Sequence, residues 1–233
     1  MSKTVQPQTG APLIQLRGLA KSYQAGGVEI AALRPTDLVV RHGTFLTVMG
    51  PSGSGKSTLL SLFGLLMRPS SGSYLLEGNE VSKLSDDATS AVRCRTIGMV
   101  FQSFNLLSHL TILENVCVPM QYAGLRRAAM RRRAKELLDQ LGLGGRYGSR
   151  PTQLSGGQCQ RVAIARSLAN DPPVILADEP TGNLDEKTGQ EVLGIFQELH
   201  AAGKTVIMVT HNPAYRQYAT QCVSIHDGKV TVE

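Results

Sequence analysis

The run Gly50-Pro51-Ser52-Gly53-Ser54-Gly55-Lys56-Ser57-Thr58 constrains this chain more than any other stretch. It fits the pattern Gly-x-x-x-x-Gly-Lys-Ser/Thr, a loop whose backbone N–H groups wrap phosphate oxygens. Such a loop needs a strand before it and a helix after it. Thr44–Met49 is apolar and β-prone, and Leu59–Leu66 reads as a buried helix. The glycines let the backbone turn tightly, and the positive end of the helix adds to the pull on an anion. Lys56 is then placed to reach β- and γ-phosphates, and the Ser57 hydroxyl to ligate Mg²⁺. The plain alternative is a glycine-rich turn with an incidental lysine, which the strand–loop–helix context disfavours.

The rest of the chain alternates strands with helices, which implies a mostly parallel sheet. Leu13–Leu19 and Thr36–Val40 read as strands, followed by a turn at His42-Gly43. Pro69–Ser73 reads as a turn, Tyr74–Leu76 as a short strand and Thr96–Phe101 as a buried strand. From Ser103 to about Gln153 helical patterns dominate, over Leu113–Tyr122 and Ala128–Leu141. Ser155 is placed to cap a helix ending near Leu168, which Asp171-Pro172-Pro173 stops. Val192, Ile195, Phe196 and Leu199 recur at helical spacing, and Lys204–Thr210 is a further core strand. Cys222–His226 and Lys229–Val232 around Asp227-Gly228 read as a hairpin with a type I′ turn.

Val174–Ala177 is apolar and ends in Asp178-Glu179. A buried strand that delivers carboxylates at its C-terminal end is where α/β sheets place ligand chemistry. Asp178 then holds Mg²⁺, and Glu179 polarises an attacking water. Ser155 with the N–H groups of Gly156 and Gly157 forms a second anion site at a helix N-terminus.

With Leu154-Ser155-Gly156-Gly157-Gln158 in place, the chain resembles the nucleotide-binding subunit of ABC transporters from about Leu13 to Val232. The resemblance implies an α/β fold of the ABC-type P-loop NTPases. It has a mostly parallel core sheet, an antiparallel β subdomain and a helical subdomain inserted over about 103–168. Residues 12–233 then form the ATPase domain, and Met1–Ala11 a flexible tail without the apolar core of a signal peptide. By the same resemblance Tyr23 stacks on adenine and Gly50–Thr58 cradles the phosphates of ATP. Gln102 senses Mg²⁺ and the attacking water, and His211 contacts the γ-phosphate. Ser155, Gly156, Gly157 and Gln158 bind the γ-phosphate held by a second copy, and Asp185 lies in a loop that crosses that interface. ATP then joins a head-to-tail homodimer. Cys159 departs from the family, where Gln is common, but lies beyond the contact residues.

Asp178–Asp185, Phe104–Thr111 and Val118–Leu125 look most like the macrolide-exporter and lipoprotein-releasing group. The expectation is an ATPase peripheral to the cytoplasmic face of the cell membrane, powering a separate permease that handles a hydrophobic substrate. Phe101–Glu114 would dock a cytoplasmic helix of that permease, with Phe104, Leu106, Leu107 and Leu110 as its apolar surface. An alternative is an ATPase that regulates cell-wall or cell-division machinery through a transporter-like membrane partner. ABC ATPases acting on DNA carry a long coiled coil between the two motifs. Here only about a hundred residues separate Ser57 from Ser155, without sustained heptads. Ribosome-acting relatives usually carry two cassettes, and this chain has one.

No apolar run approaches the ~20 residues that span a bilayer. The four cysteines have no C-x-x-C spacing, so a reducing cytoplasm fits. The net charge of +6 is concentrated: Arg126, Arg127, Arg131, Arg132, Arg133 and Lys135 fall within ten positions. They make either a solvated helix face or a surface near anionic lipid head groups. No aromatic residue is interleaved with them, so a nucleic-acid partner is not expected.

Overall fold

A computed structural model describes residues 12–233, and the expected N-terminal tail lies outside the described residues. In chain order the strands and helices are β1 (Pro12–Ala25), β2 (Val28–Arg41), β3 (Phe45–Met49), α1 (Lys56–Phe63), β4 (Ser71–Leu76), β5 (Asn79–Glu80) and α2 (Asp86–Thr96). They continue with β6 (Ile97–Val100), α3 (Ile112–Tyr122), α4 (Arg127–Gln140), α5 (Gly156–Ser167) and β7 (Val174–Asp178). The chain closes with α6 (Glu186–Ala201), β8 (Thr205–Val209), β9 (Gln221–His226) and β10 (Lys229–Val232).

Two sheets result. The larger has the order β10-β9-β3-β8-β7-β6, parallel except for the terminal hairpin. The smaller, β2-β1-β4-β5, is antiparallel. The parallel strands are buried on both faces, so they read as unbroken apolar runs. Alternate residues still serve different layers. Val174, Leu176, Ile207 and Val209 join α1 and the small sheet. Ile175, Ala177, Val206 and Met208 join α3, α4, α5 and α6. Three helices, α3 to α5, therefore lie between neighbouring strands β6 and β7 and pack on one face of the large sheet.

The structure differs from the sequence reading at four places. β1 and β2 each run to 14 residues, because their far ends form an exposed ribbon closed by Gly26 and Gly27, both at positive φ. Ser71 belongs to β4 rather than to a turn. A Cβ on Gly72 would lie 2.3 Å from the Gly18 carbonyl, so only glycine lets β4 close on β1 there. The first helix begins at Lys56, not Leu59, and ends at Phe63. Helix α2, capped by Ser85, has no fully buried residue and so shows no apolar periodicity to read.

Candidate active site

β3 ends at Met49 and the chain turns through Gly50, Gly53 and Gly55, at φ 154°, 77° and 110°. At Gly50 and Gly55 a side chain has no room. A Cβ on Gly50 would stand 2.2 Å from the Ile225 carbonyl, and one on Gly55 2.4 Å from the Ala32 carbonyl. The loop is clipped from outside by the β9–β10 turn. Gly228 N–H donates to the Ser54 carbonyl at 3.0 Å, and Arg34 N–H donates to the Gly228 carbonyl at 2.8 Å. Asp227 and Gly228 both have positive φ, as the expected type I′ turn requires. Lys56 is buried, and its ammonium donates to the carbonyls of Gly50 (2.8 Å) and Pro51 (2.7 Å). Ser57 is exposed at the start of α1.

These residues open onto a cavity of about 410 Å³ lined by Gly50–Gly53, Gly55–Thr58, Ala32, Glu179 and His211. Glu179 follows β7 with φ 43°, a left-handed conformation unusual for a side-chain-bearing residue. Its N–H donates to the Val209 carbonyl at 3.0 Å, so the turn is fixed to β8 and the carboxylate is aimed out of the sheet. The His211 ring, just past β8, shares a hydrogen bond with it, Nδ1 to Oε2 3.0 Å. Burial, and then the neighbouring Glu179, push the Asp178 carboxyl above its ordinary range; the Lys56 charge acts against them.

The cavity therefore unites the phosphate loop with Glu179 and His211, with Asp178 beside it. It does not include the other expected residues. Tyr23 is 43% exposed on the β1–β2 ribbon, donating from its hydroxyl to Met67 Sδ at 3.4 Å with Lys21 Nζ over its ring. Gln102 packs against Gly182, where a Cβ would lie 2.6 Å from its Nε2, and its carbonyl accepts from Asn183 Nδ2 at 3.0 Å. Ser155 caps α5 in a capping box with Gln158. Gly156 faces Leu184 and Phe104. Gly157 faces Thr188, whose Cγ2 would lie 2.3 Å from an added Cβ. Asp185 caps α6, accepting from Thr188 N–H at 3.0 Å and Thr188 Oγ1 at 2.7 Å; these bonds hold its carboxyl low.

Sequence reasoning missed the contributions of four residues. Ala32 and Ile225 act through backbone or mere smallness, which leaves no motif, and Gly228 was read only as a turn residue, not as the clip on Ser54. Gln160 was also missed: it is fully buried on α5 and its Nε2 donates to the Pro180 carbonyl at 2.8 Å, beside Glu179. The expected docking segment is split. Phe101 and Asn105 line a groove of about 790 Å³ between α2, β6, α3 and the end of α5. Phe104 turns toward Gly156, Leu106 packs on the core, and Leu107 is 41% exposed.

The residues present suit a triphosphate carried with Mg²⁺. The cradle has glycines where a Cβ would collide, an ammonium that holds only carbonyls, and two hard oxygen donors, Ser57 and Asp178.

A phosphate loop, a carboxylate pair and a capped glycine helix in this sheet order define an ATP-binding cassette. The chain belongs to the ABC transporter family, whose family model matches residues 33–182. It is 52% identical over 226 residues to the macrolide export ATP-binding/permease protein MacB 1/2 of Paracoccus denitrificans, covering 97% of this chain but 34% of that protein. It is 54% identical over 218 residues to an uncharacterized ABC transporter ATP-binding protein of Thermotoga maritima, covering 94% of this chain and 93% of that one. Among solved structures it resembles a dimeric ATP-binding cassette in a post-hydrolysis state bound to ADP and Pi. The TM-score is 0.87 at 41% identity, over 94% of this chain and 97% of the other.

Proposed function

We propose that this ABC cassette hydrolyses ATP with Mg²⁺ at sites shared between two copies and drives a membrane permease. The observation that carries the reading is the partition of the motifs. The cradle, Glu179 and His211 line one cavity, and the capped glycine helix does not line it. A second copy set head to tail brings Ser155, Gly156, Gly157 and Gln158 to the open side of that cavity, with Asp185 beside the join.

The Lys56 ammonium holds the loop's own carbonyls, which keeps the cradle in shape. Phosphate oxygens then replace those carbonyls as its partners. Ser57 and Asp178 would hold Mg²⁺, which supplies charge neutralisation at the phosphates. Gln102 lies at the Gly182 turn, able to register the state of that turn. Glu179 rests on His211; a γ-phosphate that takes over the imidazole frees the carboxylate to accept a proton from water. Ser155 and the N–H groups of Gly156 and Gly157 stabilise the far side of the transferring group. Tyr23 would meet adenine by a movement of the exposed ribbon.

Residues 103–168 serve as the helical subdomain, and the 790 Å³ groove beside it takes a cytoplasmic segment of the permease. Among the described residues no helix is long and apolar enough to cross a membrane, which agrees with a peripheral subunit on the cytoplasmic face. The likeness to macrolide export proteins supports export or extraction of a hydrophobic substrate.

Glu179→Gln tests the reading. Turnover should fall roughly 10²–10⁴-fold with ATP binding retained, and ATP should shift the variant from monomer to dimer in light scattering. Adding Ser155→Arg should abolish the shift. Wild-type turnover, or a dimer indifferent to ATP and to Ser155→Arg, overturns the proposal.

A further inference from the structure

The α3–α4 corner breaks a local rule with little internal compensation. Helix α4 opens with Arg126 as an uncapped N-cap and has no acidic residue in its first turn. Cationic side chains at a helix N-terminus oppose the helix dipole. From Arg126 to Arg133 the chain carries five arginines and no acid. Arg126 and Arg127 are exposed and make neither hydrogen bond nor ion pair among the described residues. Arg132 reaches Glu136 at 3.9 Å in an exposed pair, and Arg131 lies within electrostatic reach of Glu114. Immediately before the arginines, Tyr122 is 84% exposed and Leu125 40% exposed.

We infer that this corner is a membrane-contact surface that binds anionic phospholipid head groups. Guanidinium forks match phosphate oxygens in a bidentate way. A tyrosine ring with its hydroxyl suits the head-group layer, and a leucine the acyl boundary behind it. Position supplies a further argument: Tyr122 also lines the 790 Å³ groove. The inference rests in part on the reading that a permease segment fills that groove, since the corner is then the rim next to the bilayer. Lipid is favoured over an acidic protein surface because an apolar pair accompanies the arginines.

The test uses the full chain without nucleotide or permease, so it stands or falls apart from the ATPase and docking readings. Protein is sedimented with vesicles of equal parts phosphatidylglycerol and phosphatidylcholine, and with phosphatidylcholine alone. Binding should require phosphatidylglycerol and weaken as salt rises. Each basic residue near such a surface is worth about fivefold in partitioning. Replacing Arg126, Arg127, Arg131 and Arg132 together by Gln should therefore lower binding at least about tenfold, with basal ATPase activity and circular dichroism kept. The same loss of charge elsewhere, by Arg17, Lys83, Lys187 and Lys229→Gln, should change it by less than about twofold. Equal loss in both variants, or no preference for phosphatidylglycerol, overturns the inference. So does an unchanged vesicle affinity of the four-arginine variant, which would leave these side chains with no part in lipid binding.

Discussion

Asp178 carries two conflicting requirements on one carboxyl. The proposed role with Mg²⁺ needs it ionised, while burial and Glu179 disfavour the charge more than Lys56 favours it. A raised native pKa means that stability is lost as pH climbs past the ordinary carboxyl value, and the penalty remains at neutrality. Asp178→Asn keeps the shape and removes the charge. It should raise the melting temperature of the nucleotide-free protein at pH 7 and abolish hydrolysis. The gain in melting temperature should fade as pH is lowered toward the value at which Asp178 itself protonates. Equal melting temperatures at pH 7 would contradict a carboxylate held in ionic strain. At this scale the positions of the candidate site, though not its roles, were largely legible in the sequence. Lys56, Ser57, Asp178 and Glu179 are motif residues whose types the chemistry dictates, and the structure gathers them or sets them side by side. Gln160 was not legible, because a buried amide holding one carbonyl leaves no spacing pattern.

Between α5 and α6 the contact is fixed by Gly157, which was read for another reason, and by Thr188, which was not read at all. Gly157 reads as a glycine that admits phosphate, yet it also admits the Thr188 methyl. Thr188 cannot rotate away freely, since its hydroxyl is held by Asp185 at 2.7 Å. Gly157→Ala should therefore cost about 1–3 kcal/mol by overpacking. Thr188→Ser, which keeps the hydroxyl and deletes the methyl, should recover much of that loss. A urea-unfolding double-mutant cycle with no coupling would refute the wedge. Legibility of elements follows burial. β3, β7 and β8 are apolar on both faces and were readable, as was α5 from its Ser155 cap. α2 and the β1–β2 ribbon are solvated, so no hydrophobic period marks them.

Across the whole molecule, Glu179 is tied to distant parts of the same chain. Its backbone is fixed to β8, and the next carbonyl, Pro180, is held by Gln160 of α5. In the proposed head-to-tail pair, α5 would meet the partner's nucleotide at its N-terminus, while its fifth residue, Gln160, steadies the turn that carries the proposed base of its own site. The two halves of the paired site are thus joined within each chain by one buried helix. The order of the sheet was legible only in class: parallel strands are implied by alternation, but β3 flanked by β8 and β9 is not.

That sheet order has a consequence in time. Ser54 is synthesised early, yet the turn that clips it, at Gly228, is among the last parts of the described chain to be made. At roughly 5–20 residues per second, a growing chain spends on the order of ten seconds or more with a phosphate loop held only by its own Lys56 and by nothing from outside. Both strands that flank β3 also emerge late. ATP therefore has no rigid cradle to grip on an incomplete chain. Ribosome-stalled chains of increasing length should gain ATP-dependent protease resistance only after Asp227-Gly228 has cleared the exit tunnel; protection at a length that stops at α6 would disprove this. The nucleotide then acts as an inspector of synthesis, holding copies whose loop is clipped and leaving the others to proteases.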